Sequence, residues 1–125
     1  MEIIKKQLKK TITRITIGNE LNESKKDVIG SVELDIENQA KFIELITNAV
    51  DSEPRNIILD ISNISYLDSS GLWALFESHK IGEQKQKKVA LLNPTKDVKR
   101  VLDVTKISTK IRVFTNEKEA IKALQ

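Results

Sequence analysis

Apolar positions along the chain fall into two periods, and the points where the period changes divide it into strands and helices. Thr11 to Ile17 is rich in β-branched residues, and Asp27 to Leu34 places Val28, Gly30, Val32 and Leu34 on one alternating face. Both read as strands, joined in a hairpin around Gly18 to Lys26. The spacing then lengthens: Phe42, Leu45, Ile46, Ala49 and Val50 fall at i, i+3, i+4, i+7 and i+8, an amphipathic helix opened near Asn38 and closed by Pro54. Asn56 to Ile61 carries Ile57, Ile58, Leu59 and Ile61 almost without interruption, the pattern of a central parallel strand covered on both faces.

A second helix begins at Leu72 to Phe76 and ends near Gly82, and Val89 to Leu92 reads as another buried strand. Asn93-Pro94 supplies an N-cap and a first-turn proline for a helix over Pro94 to Val104. Ile111 to Phe114 is a last strand, and Asn116 with Glu119 three residues on forms a capping box ahead of Ala120, Ile121 and Leu124. The order β-β-α-β-α-β-α-β-α predicts an α/β fold: a mixed, mostly parallel sheet with right-handed crossovers and four helices, the early hairpin supplying its antiparallel pair. Residues 11–125 are expected to form a single domain. Residues 1–10 precede it as an extension that the pattern leaves undecided between an extra strand, a helix and a frayed tail.

Composition narrows the chemistry. The 125 residues include no cysteine and one histidine, so disulfides, thiolate metal sites, thiol nucleophiles and histidine-cluster metal sites are excluded. Any nucleophilic dyad has to use His79, which is nine residues from Ser70. If both sit on one helix they are about 13 Å apart along its axis, too far for a proton to pass between them. His79 lies beside the apolar stripe of Leu72 and Phe76, which predicts a half-buried ring with its polar atoms satisfied. The net charge is +3, with both signs spread along the chain. The basic start (Lys5, Lys6, Lys9, Lys10) and basic turn (Lys85, Lys87, Lys88) have no interleaved aromatics, so they read as solvated charge and not as nucleic-acid platforms. Glycine-rich phosphate loops are missing. No apolar run approaches the roughly 18 residues of a membrane span, and the first residues hold no signal-peptide core, so a soluble cytoplasmic protein is expected, without membrane insertion.

Sites in open α/β sheets gather beyond the carboxyl ends of strands, where loops feed helix N-termini. Here that place is Ile61-Ser62-Asn63-Ile64-Ser65-Tyr66-Leu67-Asp68-Ser69-Ser70-Gly71-Leu72, in which Asp68, Ser69 and Ser70 are all competent N-caps. Read alone, these residues need do no more than cap the helix. A phosphorelay receiver with Asp60 as acceptor is a weaker reading. Only one strand-helix unit separates Glu33 and Asp35 from Asp60, and Ile111 to Phe114 is followed by Thr115-Asn116 with no Lys-Pro pair. Asp60 reads as a polar strand-end group.

Leu59-Asp60-Ile61-Ser62 followed by Tyr66-Leu67-Asp68-Ser69-Ser70-Gly71-Leu72 resembles the signature of STAS domains, the sulphate-transporter and anti-sigma-factor-antagonist family, in its free-standing bacterial form. Val32-Glu33-Leu34-Asp35, Val89-Ala90-Leu91-Leu92-Asn93-Pro94 and Val98 to Val104 extend the resemblance over about Thr11 to Leu124. It implies a protein-interaction switch, not an enzyme, that needs no cofactor. Carried over by the motif, the resemblance implies that the second serine, Ser70, is the residue phosphorylated by a partner anti-sigma factor that is also a serine kinase, with Ser69 as the runner-up acceptor. A metal-dependent serine phosphatase is the implied resetting partner, and Asp68, Ser69, Ser70, Gly71, Leu72 and Trp73 the implied contact surface. Many family members carry Gly-Leu-Gly after the serines, where this chain has Gly71-Leu72-Trp73. At about 100° per residue the indole falls on the helix flank, either as a binding anchor or folded onto its own helix. The alternative implied function is an unmodified STAS scaffold subunit of a larger signalling or transport assembly.

Overall fold

The computed structural model describes all 125 residues. Its strands are β1 (Glu2–Lys9), β2 (Ile12–Gly18), β3 (Glu20–Asn22), β4 (Asp27–Ile29), β5 (Val32–Leu34), β6 (Asn56–Asp60), β7 (Ile64–Leu67), β8 (Val89–Leu92) and β9 (Val113–Phe114). Its helices are α1 (Gln39–Ser52), α2 (Ser69–Gln84), α3 (Lys96–Val104) and α4 (Glu117–Leu124), with a single 3₁₀ turn at Ile107–Thr109. The main sheet runs β1-β2-β6-β8-β9; β1 is antiparallel to β2 and every other neighbour is parallel. This is the mixed, mostly parallel sheet with four helices that the periodicity implies.

Because side chains alternate across a strand, each parallel strand feeds two cores. Ile15, Ile17, Ile57, Leu59, Val89 and Leu91 point to one face, where they meet Phe42 and Ile46 of α1, Ala74 and Leu75 of α2, and Val98 and Leu102 of α3. Ile12, Ile58, Ala90 and Leu92 point to the other, where Ala120 and Leu124 of α4 cover them. Three helices therefore pack on one face and one on the other, which is why β6 and β8 read as unbroken apolar runs.

Three local expectations are corrected. The antiparallel partner of β2 is not the segment after Gly18 but residues 2–9, which the pattern left undecided. As an edge strand only partly covered, β1 carries lysines in place of a clean apolar alternation. Asp27 to Leu34 is not one strand, because Gly30 takes φ +86° and turns the chain between β4 and β5. β4 then pairs with β3 in a small hairpin, and β5 pairs in parallel with β7, a four-residue strand too short to announce itself by period. The cap of α3 is Thr95, whose hydroxyl accepts from Val98 N at 3.3 Å, and not Asn93. Asn93 is held in the left-handed region at φ 56° while its N–H donates to Phe114 O across to β9. Asn116 does cap α4, accepting from Lys118 N and Glu119 N.

One buried carboxylate ties β1 to the end of α1. Glu53 is 6% exposed, accepts from Arg55 Nη1 at 2.9 Å and lies 3.9 Å from Lys5 Nζ. Burial alone pushes its pKa up, but the hydrogen bonds and charge of Arg55 outweigh this and hold it below the usual glutamate value. A carboxylate depressed in the folded state adds stability above its unfolded pKa of about 4.3 and loses it as pH falls through the folded value. Glu53→Gln is expected to cost about 1–2 kcal/mol at pH 7, with the gap to wild type closing in urea titrations below about pH 4.

Candidate functional site

The mouth of α2 is assembled from two loops that lie side by side because β5 and β7 run parallel. At the end of β6, Asp60 Oδ1 accepts from Ser62 N at 3.0 Å, an Asx turn that redirects the chain into β7. After β7 comes Asp68, and of the three candidate caps it is the one used: Oδ1 accepts from Gly71 N at 2.9 Å. Its second oxygen accepts from Ile36 N at 3.2 Å, and its own N–H donates to Leu34 O at 3.3 Å. One carboxylate thus caps α2 and clips it to the loop leaving β5.

That loop is itself closed by a reciprocal pair. Asp35 Oδ1 accepts from Glu37 N and Asn38 N, while Asn38 Oδ1 accepts from Asp35 N at 2.9 Å and its amide donates to Glu33 O at 2.6 Å. Asn38 does stand at the start of α1, but its side chain braces the preceding turn instead of capping the helix.

The approach between the two loops is set by Gly71. It is buried, and a Cβ there would lie 2.0 Å from Leu34 O. Leu72 is half-buried and packs against the first core, so it anchors the helix to the sheet. Ser69 is exposed and Ser70 half-buried, and together with Gln39 and the half-exposed ring of Trp73 they line a shallow depression. With Asp68 serving as the cap, neither hydroxyl is needed for that task. The first-turn N–H groups of Ser69 and Ser70 have no backbone acceptor, leaving the positive end of the helix dipole open at the depression.

The structure brings together a surface residue that the pattern did not single out. Ile36 is 69% exposed, and its N–H is bound by Asp68. The only trace of it in the sequence is an isoleucine inside the polar stretch Asp35 to Asn38, where no core period requires one. With Trp73, 50% exposed, it adds large apolar surface on the two elements that flank the serines.

His79 shares α2 with Ser70. It is half-buried as expected, but only one ring nitrogen is satisfied: Nε2 lies 3.1 Å from Glu83 Oε1, and buried Nδ1 has no partner. No three carboxylate or imidazole side chains converge to hold a metal ion, and no helix is long and apolar enough to cross a membrane.

Asp68→Ala removes both the cap and the Ile36 clip and is expected to destabilise by about 2–3 kcal/mol. Asp68→Asn keeps the oxygen facing Gly71 N but loses the acceptor for Ile36 N, and should cost less. Native-state hydrogen exchange of the Ile36 and Gly71 amides separates the two contributions: both accelerate in the alanine variant, Ile36 alone in the asparagine variant.

Residues 30–120 match the family model of the STAS domain. The chain belongs to the STAS domain family. An anti-sigma F factor antagonist from Paenibacillus polymyxa is 29% identical over 70 residues, which are 56% of this chain and 60% of that protein, so the match spans less than two thirds of the relative. Among solved structures, an anti-sigma factor antagonist described from Thermotoga maritima superposes with a TM-score of 0.74 at 20% identity, covering 98% of this chain and 93% of that one. The murine anion transporter Slc26a9 matches with a TM-score of 0.73 at 17% identity over 95% of this chain but only 18% of the transporter. The STAS fold thus occurs both as a nearly whole protein and as a small part of a transporter, and the fold alone does not choose between them.

Proposed function

We propose that this STAS domain is a cytoplasmic anti-sigma-factor antagonist, acting by binding and not by catalysis, whose hold on an anti-sigma factor of the serine-kinase type is released by phosphorylation of Ser70. The observation that carries the reading is a hydroxyl on the first turn of α2 that the cap does not use, beside unpartnered N–H groups and exposed Trp73 and Ile36. Unmodified, the surface around Asp68, Ser69, Ser70 and Trp73 binds the partner, with the indole and Ile36 as apolar anchors; Gly71 and Leu72 contribute by seating the helix. A metal-dependent serine phosphatase resets the modified form. Ser69, the more exposed hydroxyl, is the alternative acceptor.

Magnitudes decide how the switch works. A phosphoryl group brings about −1.5 to −2 charges, and at a helix N-terminus an anion gains about 0.3–1 kcal/mol, so the modified domain stays folded. Pressing the same unpaired dianion into a desolvated interface costs several kcal/mol, whereas a hundredfold loss of affinity needs only about 2.8 kcal/mol. The Asp68 carboxylate two residues away adds like-charge repulsion. Interface repulsion therefore exceeds helix stabilisation, and the phosphate acts on the complex and not on the fold.

The test is to recover the chain from the cells that produce it, map phosphate, and compare capture of partners by wild type, Ser70→Ala, Ser69→Ala and Ser70→Asp. Expected results are phosphate on Ser70, capture of a kinase-like partner by wild type and both alanine variants, and about hundredfold weaker binding by Ser70→Asp at unchanged thermal stability. If Ser70→Asp binds as wild type does, the charge switch is wrong. If no phosphate and no kinase-like partner appear, the scaffold reading takes its place.

A further inference from the structure

β1 presents a free strand edge. It pairs with β2 on one side only, so along Glu2–Lys9 alternate N–H and C=O groups on the other side have no strand partner. An open groove borders it. One wall is formed by Ile3, Ile4, Lys5 and Lys6. The groove touches four successive residues of β1, so it runs alongside that strand, and through Arg14 of β2 it also reaches over one face of the sheet. The other wall is the β3–β4 hairpin, with Leu21, Lys25 and Lys26, and Arg14, the cross-strand partner of Lys6, adjoins it.

The charge of this groove is net positive. Five cations line it against the carboxylates of Glu23 and Asp27. Arg14 is bound to Glu117 at 2.6 Å and Lys5 is drawn to Ser52 and Glu53, but Lys6, Lys25 and Lys26 are exposed and form no ion pair. Between them Leu21 is 47% exposed and Ile4 half-buried. The groove thus combines an unpaired backbone edge beside it, apolar patches and lysines in excess over the carboxylates of Glu23 and Asp27.

We propose that this groove is a second docking site, which takes an extended acidic segment of a partner protein as an added strand on β1. The peptide backbone pairs with the β1 edge, its carboxylates meet Lys6, Lys25 and Lys26, and its intervening apolar side chains rest on Ile4 and Leu21. A second copy of the chain fits poorly, because antiparallel edge-to-edge pairing of two β1 strands over their full length sets Lys5 of each copy against Lys6 of the other at the centre of the ladder. A nucleic-acid strand finds no aromatic ring in the groove on which to stack a base. A bilayer requires a projecting apolar face, and this is a recess beside a strand.

The test uses the full chain, a fluorescent eight-residue peptide alternating Glu and Val, its Lys-Val counterpart, an oligothymidine of matching charge and phosphatidylglycerol vesicles. The Glu-Val peptide is expected to bind with a dissociation constant below about 1 mM, shifting amide resonances of residues 2–9 and 20–27, while the Lys-Val peptide does not bind. Lys6→Glu combined with Lys25→Glu, both exposed positions, should weaken it at least tenfold with an unchanged circular-dichroism spectrum. N-methylation of alternate peptide amides, which leaves charge intact, should abolish it. Failure of the Glu-Val peptide to bind, equal binding of the N-methylated peptide, or binding of the oligonucleotide or vesicles in its place overturns the proposal.

Discussion

Gly71→Ala is expected to destabilise the protein by about 3 kcal/mol or more, enough to leave a marginal domain largely unfolded. The added methyl would sit 2.0 Å from Leu34 O, 2.7 Å from Leu34 C and 2.9 Å from Leu67 Cβ. The first obstruction is backbone, and it cannot swing away as a side chain does. Leu34 O also accepts from Asp68 N, so moving β5 aside breaks the bond that joins the two loops. The contrast with Gly82→Ala makes the point testable. There a Cβ meets Val89 Cγ2 at 2.3 Å, a side-chain methyl. Part of that cost is offset by the roughly 1 kcal/mol by which alanine exceeds glycine inside a helix. Urea denaturation of both variants should rank Gly71→Ala well below Gly82→Ala; equal midpoints would mean that α2 and β5 do not approach as closely as described.

Phe42→Ala is expected to cost about 3–5 kcal/mol. Phe42 is fully buried in the first core, on α1 where that helix packs beside α2. Its removal loses the transfer free energy of the ring and leaves a cavity that the sheet below cannot close, since β2, β6 and β8 are fixed by their ladders. Phe42→Leu, which keeps most of the volume, should cost about 1 kcal/mol. Midpoint and slope of the unfolding curve separate a loss of native packing, which moves the midpoint alone, from a change in the unfolded chain. Because α1 also carries Gln39 to the rim of the serine depression, the same variant loosens one wall of the site.

Much of the site is legible in the order of residues alone. Asp68, Ser69 and Ser70 stand before a helical period, and that alone places polar groups at the mouth of α2. Which of the three becomes the cap was not legible, because the choice depends on a residue far away in the chain. Only Asp68 has a second oxygen to give to Ile36 N, and that donor comes from the loop after β5. Ser69 and Ser70 are left spare for the same reason. Gly71 shows the same limit: in sequence it is an ordinary small residue at a helix start, and its necessity appears only when Leu34 O is found against it.

The fold divides along the same line. Four helices, a central run at β6 and β8, and the capping of α4 follow from periods and caps spanning four to fifteen residues, and such local patterns are written in the chain itself. Which strands pair was settled by contacts between separate segments: β1 along β2, β5 beside β7, and the turn at Gly30 that parts β4 from β5. An edge strand guarded by lysines and a four-residue strand bury too little apolar surface for alternation to reveal them. Backbone pairing is a property of two segments at once, and a pattern along one of them does not contain its partner.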